Sequence, residues 1–567
     1  MLPSLIAREI SEGLKQYLIT GFETPTPFFR GAFTALAEQP GGLFKGPYLS
    51  LGYPFQPSGT GRDFFAGFET EHPPFVHQEQ AWRRLSADRE ARSALIATGT
   101  GSGKTECFLY PLLDYCLREH EAGRPQGIKA IVIYPMNALA NDQARRFAAA
   151  IHANANLRGR LRAGLFVGTG DKTPNKSMTA DNIISCRDAL REAPPDILLT
   201  NYKMLDYMLI RPRDRALWRF NQPATLRYLV VDELHTFDGA QGTDLACLLR
   251  RLRARLQTPV EHIIAVGTSA TLGAESEKGP LAHYASQIFQ TPFDEQSIIG
   301  ESRQSREQFL GSEAIEYMFD PPDDLAERLD PGRYSDPSSY LIAQYALFFP
   351  DQQNPEQQEP GPKPEPDNPD WRVALGRQLK QHILFNNLLR RLDPQPRALP
   401  ELAQELATVM PRRVRHLADQ VLDSLCALIS CARDPAKPQL PLLSLRTQLW
   451  VRELRRMVSS TVAEQNGPPA LLFADDLRQD RSAVHLPLVQ CNACHMTAWA
   501  GFKPAAQTCI NSDLRAIYSA FFSRNPDFVL LLPLLPDEPA PAVKGIIRWL
   551  CGGCGYLQGE GEQCQGC

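Results

Sequence analysis

Residues 97–105 read ATGTGSGKT, and they overlap the end of the apolar run SALIAT at residues 93–98. Small residues in such a loop allow successive backbone N–H groups to turn inward and hold phosphate oxygens at the N-terminus of the following helix. Lys104 would then reach the β- and γ-phosphates, and the Thr105 hydroxyl would ligate Mg²⁺. Thr98 stands where the motif G-x-x-x-x-G-K-[ST] has glycine, so a glycine-rich turn without function is the alternative.

A pair of carboxylates follows a second apolar run, in VVDELH at residues 230–235. Ligands of open parallel sheets bind beyond the carboxyl ends of the strands. Asp232 would therefore lie near Mg²⁺ and Glu233 would activate the attacking water, as phosphoryl transfer to water requires. Alone, such a pair is often a helix cap with an acidic neighbour. Together and in this order, the two motifs predict a nucleoside triphosphate site.

Short apolar runs alternate with helical patterns from about residue 75 to residue 272, as in a parallel sheet that is buried on both faces. The runs are SALIAT (93–98), KAIVIYP (129–135), AGLFVG (163–168), DILLTN (196–201), RYLVVDE (227–233) and IIAVGTSAT (263–271). This pattern predicts an α/β domain of the doubly wound type, with helices on both faces of the sheet.

These motifs resemble those of the DEAD/DEAH-box group of superfamily 2 helicases, and the resemblance covers about residues 75–290. It implies a RecA-like P-loop lobe. His77-Gln78 resembles the Q motif, whose Gln reads the adenine edge, which implies ATP as the nucleotide. Residues 134–143 (YPMNALANDQ) resemble motif Ia, and residues 168–171 and 199–205 resemble the next strand-end loops, which grip the sugar–phosphate backbone in the family. Residues 269–271 (SAT) resemble motif III, which couples the ATP site to the nucleic acid.

The resemblance assigns residues to four roles. The catalytic residues are Lys104, Asp232, Glu233 and His235, with Thr105 and Asp232 holding Mg²⁺. The ATP-binding residues are Gln78, Thr98, Gly99, Thr100, Gly101, Ser102, Gly103, Lys104 and Thr105. The nucleic-acid-binding residues are Pro135, Asn137, Gly168, Thr169, Thr200 and Asn201, and the coupling residues are Ser269 and Thr271. The flanking motifs also have simpler interpretations as strand ends, helix caps and a glycine turn.

Two segments, residues 195–212 and 230–252, are most similar to large bacterial helicases with a distal cysteine-containing C-terminal region. These include the helicase subunits of Druantia-type anti-phage systems, so this similarity implies anti-phage defence. DNA is favoured over RNA as the partner, while the residues themselves leave both open. Residues 273–567 contain neither a Gln-x-x-Gly-Arg-x-Gly-Arg-like segment nor a second series of buried strands. We therefore expect a second RecA-like lobe in a longer chain or in another subunit, and slow hydrolysis without its arginine finger, which contributes roughly 10³–10⁵ in rate.

The rest of the sequence predicts the structure of the segments outside the ATP-binding lobe and the division of the chain into domains. Residues 40–59 read as a wrapping loop, residues 350–371 as a Pro-rich exposed or disordered linker, and residues 445–458 (LRTQLWVRELRRMV) as a helix. The predicted division is 1–74 N-terminal helix and wrapping segment, 75–290 ATP-binding lobe, 291–349 connector, 350–371 linker, 372–465 helical domain and 466–567 cysteine-rich zinc-ribbon module.

Six of the 13 cysteines form three Cys-x-x-Cys pairs within residues 491–567. In a reducing compartment such spacing indicates metal ligation. The four sulfurs of Cys551, Cys554, Cys564 and Cys567 can close a tetrahedral zinc site with a structural role; accidental spacing or a redox pair is the alternative. Cys491 and Cys494 form either part of a second zinc site, with His495 or Cys509, or an isolated knuckle.

The composition excludes some classes of protein. A net charge of −4 and a pI near 6.3 exclude a polycation, so nucleic acid must be contacted through local patches. The N-terminus lacks the pattern of a signal peptide, which predicts a cytoplasmic protein. Two functions follow: an ATP-dependent helicase or translocase that uses Mg²⁺ and Zn²⁺, or a non-hydrolysing, nucleotide-gated subunit that docks nucleic acid or a partner. The intact Asp232-Glu233 pair favours the first function.

Overall fold

The computed structural model describes residues 2–86, 90–99, 101–168, 174–270, 278–312, 314–350, 364–392, 395–435, 437–462, 467–477, 483–535, 545–559 and 562–566. The chain divides into two compact units, Tyr53–Phe309 and a second unit that combines Met1–Gly52 with Leu310–Cys567. Five parts of the sequence predictions lie outside the described residues. They are Thr100, Thr169, Thr271, Cys567 and residues 351–363 of the linker.

A seven-stranded parallel sheet forms the centre of the unit Tyr53–Phe309. Its strands are β1 (Ala94–Ala97), β2 (Ala130–Tyr134), β3 (Ala163–Phe166), β4 (Ile197–Asn201), β5 (Tyr228–Val231), β6 (Ile264–Ser269) and β7 (Ile298–Gly300). Their order across the sheet is β3-β4-β2-β5-β6-β1-β7. The other sheets of the described residues are antiparallel.

Helices surround this sheet along the same stretch of chain. They are α1 (Val76–Leu85), α2 (Lys104–Glu121), α3 (Asn137–Ala153), α4 (Arg187–Glu192), α5 (Tyr202–Ile210), α6 (Gly239–Leu256), α7 (Lys278–Phe289) and α8 (Arg306–Leu310). Alternate side chains of β2 belong to two separate cores: Val132 lies in one, and Ile131 and Ile133 lie in the other. Because both faces are covered by apolar side chains, the strands read as continuous apolar runs.

The six predicted strands are all present, and the parallel sheet with its helices has the architecture expected of a RecA-like helicase fold. The seventh strand, β7, lies beyond residue 290, where the sequence analysis ends the ATP-binding lobe. Only Ile298 and Ile299 of this edge strand are buried, so its apolar run is too short to recognise in the sequence.

The second unit combines helices with antiparallel sheets. Its helices are Pro3–Gly21, Ala32–Glu38, Leu325–Leu329, Pro337–Phe348, Pro369–Lys380, Ile383–Leu392, Leu399–Ala407, Ala418–Cys431 and Leu514–Phe522. A three-stranded sheet has the order Ser444–Val451, Phe44–Gly52, Arg397–Ala398. A five-stranded sheet has the order Leu471–Phe473, Met457–Ser460, His485–Gln490, Thr497–Phe502, Phe528–Leu531. Two strand pairs are Arg433–Asp434 with Lys437–Pro441 and Trp549–Leu550 with Leu557–Gln558.

Three sequence predictions in this unit are wrong in part. The predicted helix at residues 445–458 is two strands, Ser444–Val451 and Met457–Ser460, because both stretches pair with strands from other parts of the chain. The predicted loop at residues 40–59 contains the strand Phe44–Gly52. Trp371, placed in the linker, is 1% exposed because it packs inside the helix bundle.

Across the part of the chain that the structure describes, every helix is too short or too polar to cross a lipid bilayer.

Candidate nucleotide and nucleic-acid site

The loop between β1 and α2 has the backbone of a phosphate cradle. Gly101 and Gly103 have φ angles of +80° and +76°, which side-chain-bearing residues rarely adopt. A Cβ atom at Gly103 would also lie 2.2 Å from Nε2 of Gln78. The N–H of Gly99 donates to Oε2 of Glu301 at 2.9 Å. Both the conformation and the available space therefore require glycine at residue 103.

Thr98, which departs from the usual motif, stabilises this loop. Its Oγ1 lies 2.7 Å from Oγ of Ser102, and both residues are buried. Its N–H donates to the carbonyl of Ser269 at 3.2 Å. Thr98 therefore connects the loop to the end of β6, where the coupling residue Ser269 lies.

Gln78 and His77 hold the loop from the start of α1. Nε2 of Gln78 donates to the carbonyl of Gly103 at 3.2 Å, and its Oε1 accepts the N–H of Phe75 at 2.9 Å. Nε2 of His77 lies 2.8 Å from the carbonyl of Ser102, so this nitrogen carries the proton. Burial lowers the pKa of His77, which keeps the ring neutral. The role of Gln78 in reading adenine stays a prediction.

Asp232 and Glu233 follow β5 directly and share one hydroxyl group. The Oγ1 of Thr268 donates to Oδ1 of Asp232 and accepts the N–H of Glu233 at 3.0 Å. Burial raises the pKa of Asp232, while the hydrogen bond from Thr268 acts in the opposite direction. Glu233 has a φ of +50°, in the left-handed region. The backbone is therefore turned sharply where the two carboxylates meet the end of the sheet.

The loop and the carboxylates meet at the carboxyl edge of the sheet. Nζ of Lys104 lies 3.1 Å from Oε1 of Glu233, with side-chain exposures of 12% and 22%. Nδ1 of His235 lies 3.4 Å from Oε2 of Glu233 and 3.3 Å from Oγ of Ser269. Oγ1 of Thr105 donates to Oε1 of Gln143 at 2.9 Å. The structure therefore brings the predicted catalytic residues together with Ser269.

These donors fit Mg²⁺ and a nucleoside triphosphate. Mg²⁺ prefers hard oxygen ligands, which the Asp232 carboxylate and the Thr105 hydroxyl supply. A Cβ atom at Gly101 would meet nothing within 4 Å, which leaves room for phosphate oxygens at this part of the loop. Lys104 provides the positive charge that phosphates require, and its Nζ donates to Oε1 of Glu233.

Three strand-end loops meet beside β2, β3 and β4. Nδ2 of Asn201 donates to Oδ1 of Asn137, and Oδ1 of Asn201 accepts the N–H of Met204 at 2.8 Å. Gly168 is exposed, and a Cβ atom there would lie 3.9 Å from Nδ2 of Asn137. Pro135, partly buried, precedes this group at the end of β2. The structure thus groups Asn137, Gly168 and Asn201, as the resemblance implies.

Thr200 differs from its predicted role. Its side chain is 0% exposed, and Oγ1 donates to the carbonyl of Phe166 at 2.7 Å. The residue lies inside the parallel sheet, so its hydroxyl pairs β4 with β3 and does not face a nucleic-acid strand. We therefore assign the Thr200 side chain to the sheet.

Sequence reasoning missed three residues of this site. Gln143 holds Thr105, and Thr268 holds the Asp232 carboxylate and the backbone N–H of Glu233. Arg187 donates from Nη2 to the carbonyl of Val167 at 2.7 Å and stacks over the Phe166 ring at 5.2 Å. Thr268 immediately precedes the SAT motif, so its position was available as a signal. The other two contacts arise only when distant segments fold together.

Three cysteines of the tail form a cluster that can hold a metal. The Sγ atoms of Cys551, Cys554 and Cys564 all lie within 4.8 Å of one another, and those of Cys554 and Cys564 are 3.4 Å apart. Four sulfurs at about 2.3 Å from a tetrahedral zinc would be separated by about 3.8 Å. A Cβ atom at Gly566 would lie 2.7 Å from Sγ of Cys554, so only glycine fits there. The described residues thus supply three thiols in nearly the required arrangement.

The turn at Cys491–Cys494 has the same backbone hydrogen bonds as the turn at Cys551–Cys554. The N–H of Cys491 donates to the carbonyl of Met496, as that of Cys551 donates to Tyr556, each at 2.9 Å. Hydrogen bonds from the backbone N–H groups of Cys494 and Ala493 lower the pKa of the Cys491 thiol. Among the described residues, however, no third ligand joins Cys491 and Cys494.

Comparison with known proteins gives the relationships of this chain. The family profile described as DEAD/DEAH box helicase matches residues 75–278. Druantia protein DruE from Escherichia coli is 26% identical over 406 residues, which cover 53% of this chain and 22% of that protein. ATP-dependent helicase Lhr-Core from Methanothermobacter thermautotrophicus is 30% identical over 187 residues, which cover 32% of this chain and 20% of that protein. The matched part of this chain therefore spans about a fifth of the length of these relatives.

Among solved structures, DUF1998 helicase MrfA bound to DNA is similar with 23% identity and a TM-score of 0.30, over 40% of this chain and 27% of that chain. A TM-score of 0.30 is too low to support an inference about this chain. The family match covers the phosphate loop, the carboxylate pair and the strand-end loops described above. Residues 75–278 of this chain are therefore a DEAD/DEAH box helicase domain.

Proposed function

We propose that this chain carries the ATP-binding lobe of an ATP-dependent nucleic-acid helicase or translocase. The observation that carries the proposal is the meeting of Lys104 with Glu233, 3.1 Å apart, beside the buried carboxylate of Asp232. A phosphate-binding lysine, a general base and a metal ligand are the groups that ATP hydrolysis requires.

The residues suggest how binding prepares hydrolysis. When phosphates enter the cradle, Lys104 exchanges its contact with Glu233 for phosphate oxygens, which leaves Oε1 of Glu233 able to accept a proton from water. Thr105 and Asp232 would hold Mg²⁺, which neutralises charge on the β- and γ-phosphates. Thr268 would keep the Asp232 carboxylate and the backbone of Glu233 at the end of the sheet throughout.

Ser269 offers a route from the ATP site to the nucleic acid. Its hydroxyl lies 3.3 Å from His235, and its carbonyl accepts the N–H of Thr98. Loss or gain of the γ-phosphate would therefore shift the end of β6. Asn137, Gly168 and Asn201 would bind the sugar–phosphate backbone of one strand, and we propose DNA as that strand.

Hydrolysis at a useful rate requires a second RecA-like lobe, from a longer chain or from another subunit. This part of the proposal rests on the family resemblance, in which the second lobe supplies an arginine finger worth roughly 10³–10⁵ in rate. We further propose that Cys551, Cys554, Cys564 and Cys567 bind one structural Zn²⁺, because four thiolates leave no open position for catalysis.

The test is phosphate release from ATP by the purified chain, with and without single-stranded DNA. We expect slow release that DNA stimulates and that Lys104→Ala abolishes. An exposed lysine outside the site provides the matched control, Lys176→Ala, which should behave as the wild type. ATP binding without any release, even when DNA is present in excess, would instead support the non-hydrolysing subunit.

A further inference from the structure

A solvent-facing sheet face in the second unit combines aromatic and basic side chains. The strands Phe44–Gly52 and Ser444–Val451 pair antiparallel, with Lys45 opposite Trp450, Tyr48 opposite Gln448 and Ser50 opposite Arg446. Side chains directly opposite each other share a face, and alternate residues of one strand do so as well. The register shifts by one residue at a bulge between Lys45 and Tyr48, so both residues still lie opposite alternate residues of the partner strand, Trp450 and Gln448. These six residues therefore form one surface, which we call the Trp450 face.

The exposure of these residues separates the Trp450 face from the opposite face. Trp450 is 59% exposed, and Lys45 and Arg446 are also exposed. On the other face, Leu49 is 0% exposed. An indole that is left in solvent on an ordered strand contributes nothing to the core, so packing does not explain a tryptophan at this position.

The charge of the Trp450 face has one sign. Neither strand contains an aspartate or a glutamate. Within the described residues, Lys45 and Arg446 make no ion pair, and the following Glu453 is paired with Arg455. The strand Ser444–Val451 also forms the edge of its sheet, so a long ligand can lie across it without meeting another strand.

We propose that the Trp450 face binds single-stranded nucleic acid, with Trp450 and Tyr48 stacking on bases and with Lys45 and Arg446 contacting phosphates. An exposed indole, a half-buried tyrosine ring and two cations without an ion pair among the described residues fit unstacked bases on a polyanion. A duplex keeps its bases stacked and offers no ring face to Trp450. The inference takes from the proposed function only the identity of the ligand, since this contact needs neither ATP nor the helicase lobe.

The test is the equilibrium affinity of the full chain for a labelled oligodeoxythymidine and for a duplex of the same length, without nucleotide. We expect Trp450→Ala to raise the Kd for the single strand about tenfold. Trp450→Phe should retain most of the affinity because it keeps a ring. Trp549→Ala is the matched control, because Trp549 is 53% exposed and lies outside this sheet. The duplex affinity should not change with any of these variants.

A second measurement addresses the cations. The double variant Lys45→Gln, Arg446→Gln should lower the slope of log affinity against log salt by about 1.4, since each lost phosphate contact on a single strand contributes about 0.7. Wild-type affinity in both Trp450→Ala and this double variant would overturn the inference, whether or not DNA stimulates ATP hydrolysis. A change of molecular mass in Trp450→Ala with unchanged DNA affinity would also overturn it, in favour of self-association. If these variants lose single-strand binding and the wild type shows no DNA-stimulated hydrolysis, binding by the Trp450 face is supported and the proposed helicase function is contradicted.

Discussion

Hydroxyl groups of threonine organise the site at the scale of single residues. The Thr268 hydroxyl joins Asp232 to the backbone of Glu233, and the Thr98 hydroxyl lies 2.7 Å from Oγ of Ser102 within the phosphate loop. Both hydroxyls are buried, so each bond forms away from competing water. A hydrogen bond to a charged group contributes more than a neutral one, about 1.5–3 kcal/mol. Among the site residues outside the recognised motifs, Thr268 is therefore the one whose substitution should most directly disturb the position of Asp232.

We expect Thr268→Val to raise about tenfold the Mg²⁺ concentration that supports half-maximal ATP binding. Valine keeps the volume and removes the hydroxyl that orients the Asp232 carboxylate. Titration of Mg²⁺ at fixed fluorescent ATP measures the effect. Thr243→Val, at an exposed helical threonine, is the matched control and should leave the midpoint unchanged. An unchanged midpoint in Thr268→Val would show that the hydroxyl is not needed to orient the Asp232 carboxylate for Mg²⁺.

The proposed catalytic residues could be named from the sequence because each lies inside a contiguous motif. Lys104 and Thr105 belong to the phosphate loop, and Asp232 and Glu233 follow a strand directly. Gln143 was missed because its contact with Thr105 joins residues 38 apart in the chain. The burial of the Thr200 side chain was not foreseen because a motif does not reveal whether a strand residue points into the sheet or out of it.

At the scale of elements, the two cysteine turns have the same backbone and different surroundings. The Sγ atom of Cys564 lies within 4.8 Å of the Sγ atoms of Cys551 and Cys554. The described residues bring no third ligand to Cys491 and Cys494. Because zinc needs four ligands in a structural site, the first turn is the better metal site.

We expect the purified chain to contain about one zinc ion, because we propose that the three described thiols and Cys567 together supply the four ligands of a tetrahedral site. Cys554→Ser should release this zinc, while Cys491→Ser, in the matching turn, should retain it. Atomic absorption on both variants measures the content. Retention of zinc in Cys554→Ser, or its loss in Cys491→Ser, would contradict the assignment.

Elements buried on both faces were predicted better than elements at edges. β1 to β6 were recognised because apolar side chains cover both of their faces. In the strand Ser444–Val451, Leu445 and Leu449 have the i, i+4 spacing of a helix, and the apolar and polar residues do not alternate, so the pattern itself favours a helix over a strand. The register with Phe44–Gly52 decides between the two, and this partner lies about 400 residues away in the chain.

At the scale of the whole molecule, one compact unit contains every predicted ATP-binding and catalytic residue that the structure describes. The unit Tyr53–Phe309 begins before the family match and ends after β7, so it contains both the loop and the strand edge that we propose as the phosphate site. Nucleotide binding should therefore be a property of this unit, whatever else hydrolysis and translocation require.

The central claim is best tested by calorimetric titration of the chain with ATP and Mg²⁺. We predict one binding site per chain, lost in Lys104→Ala and retained in Glu233→Gln, because the lysine contacts phosphate whereas the glutamate acts on water. Absence of binding in the wild type, or equal binding in Lys104→Ala, would contradict the assignment of this loop as the ATP site.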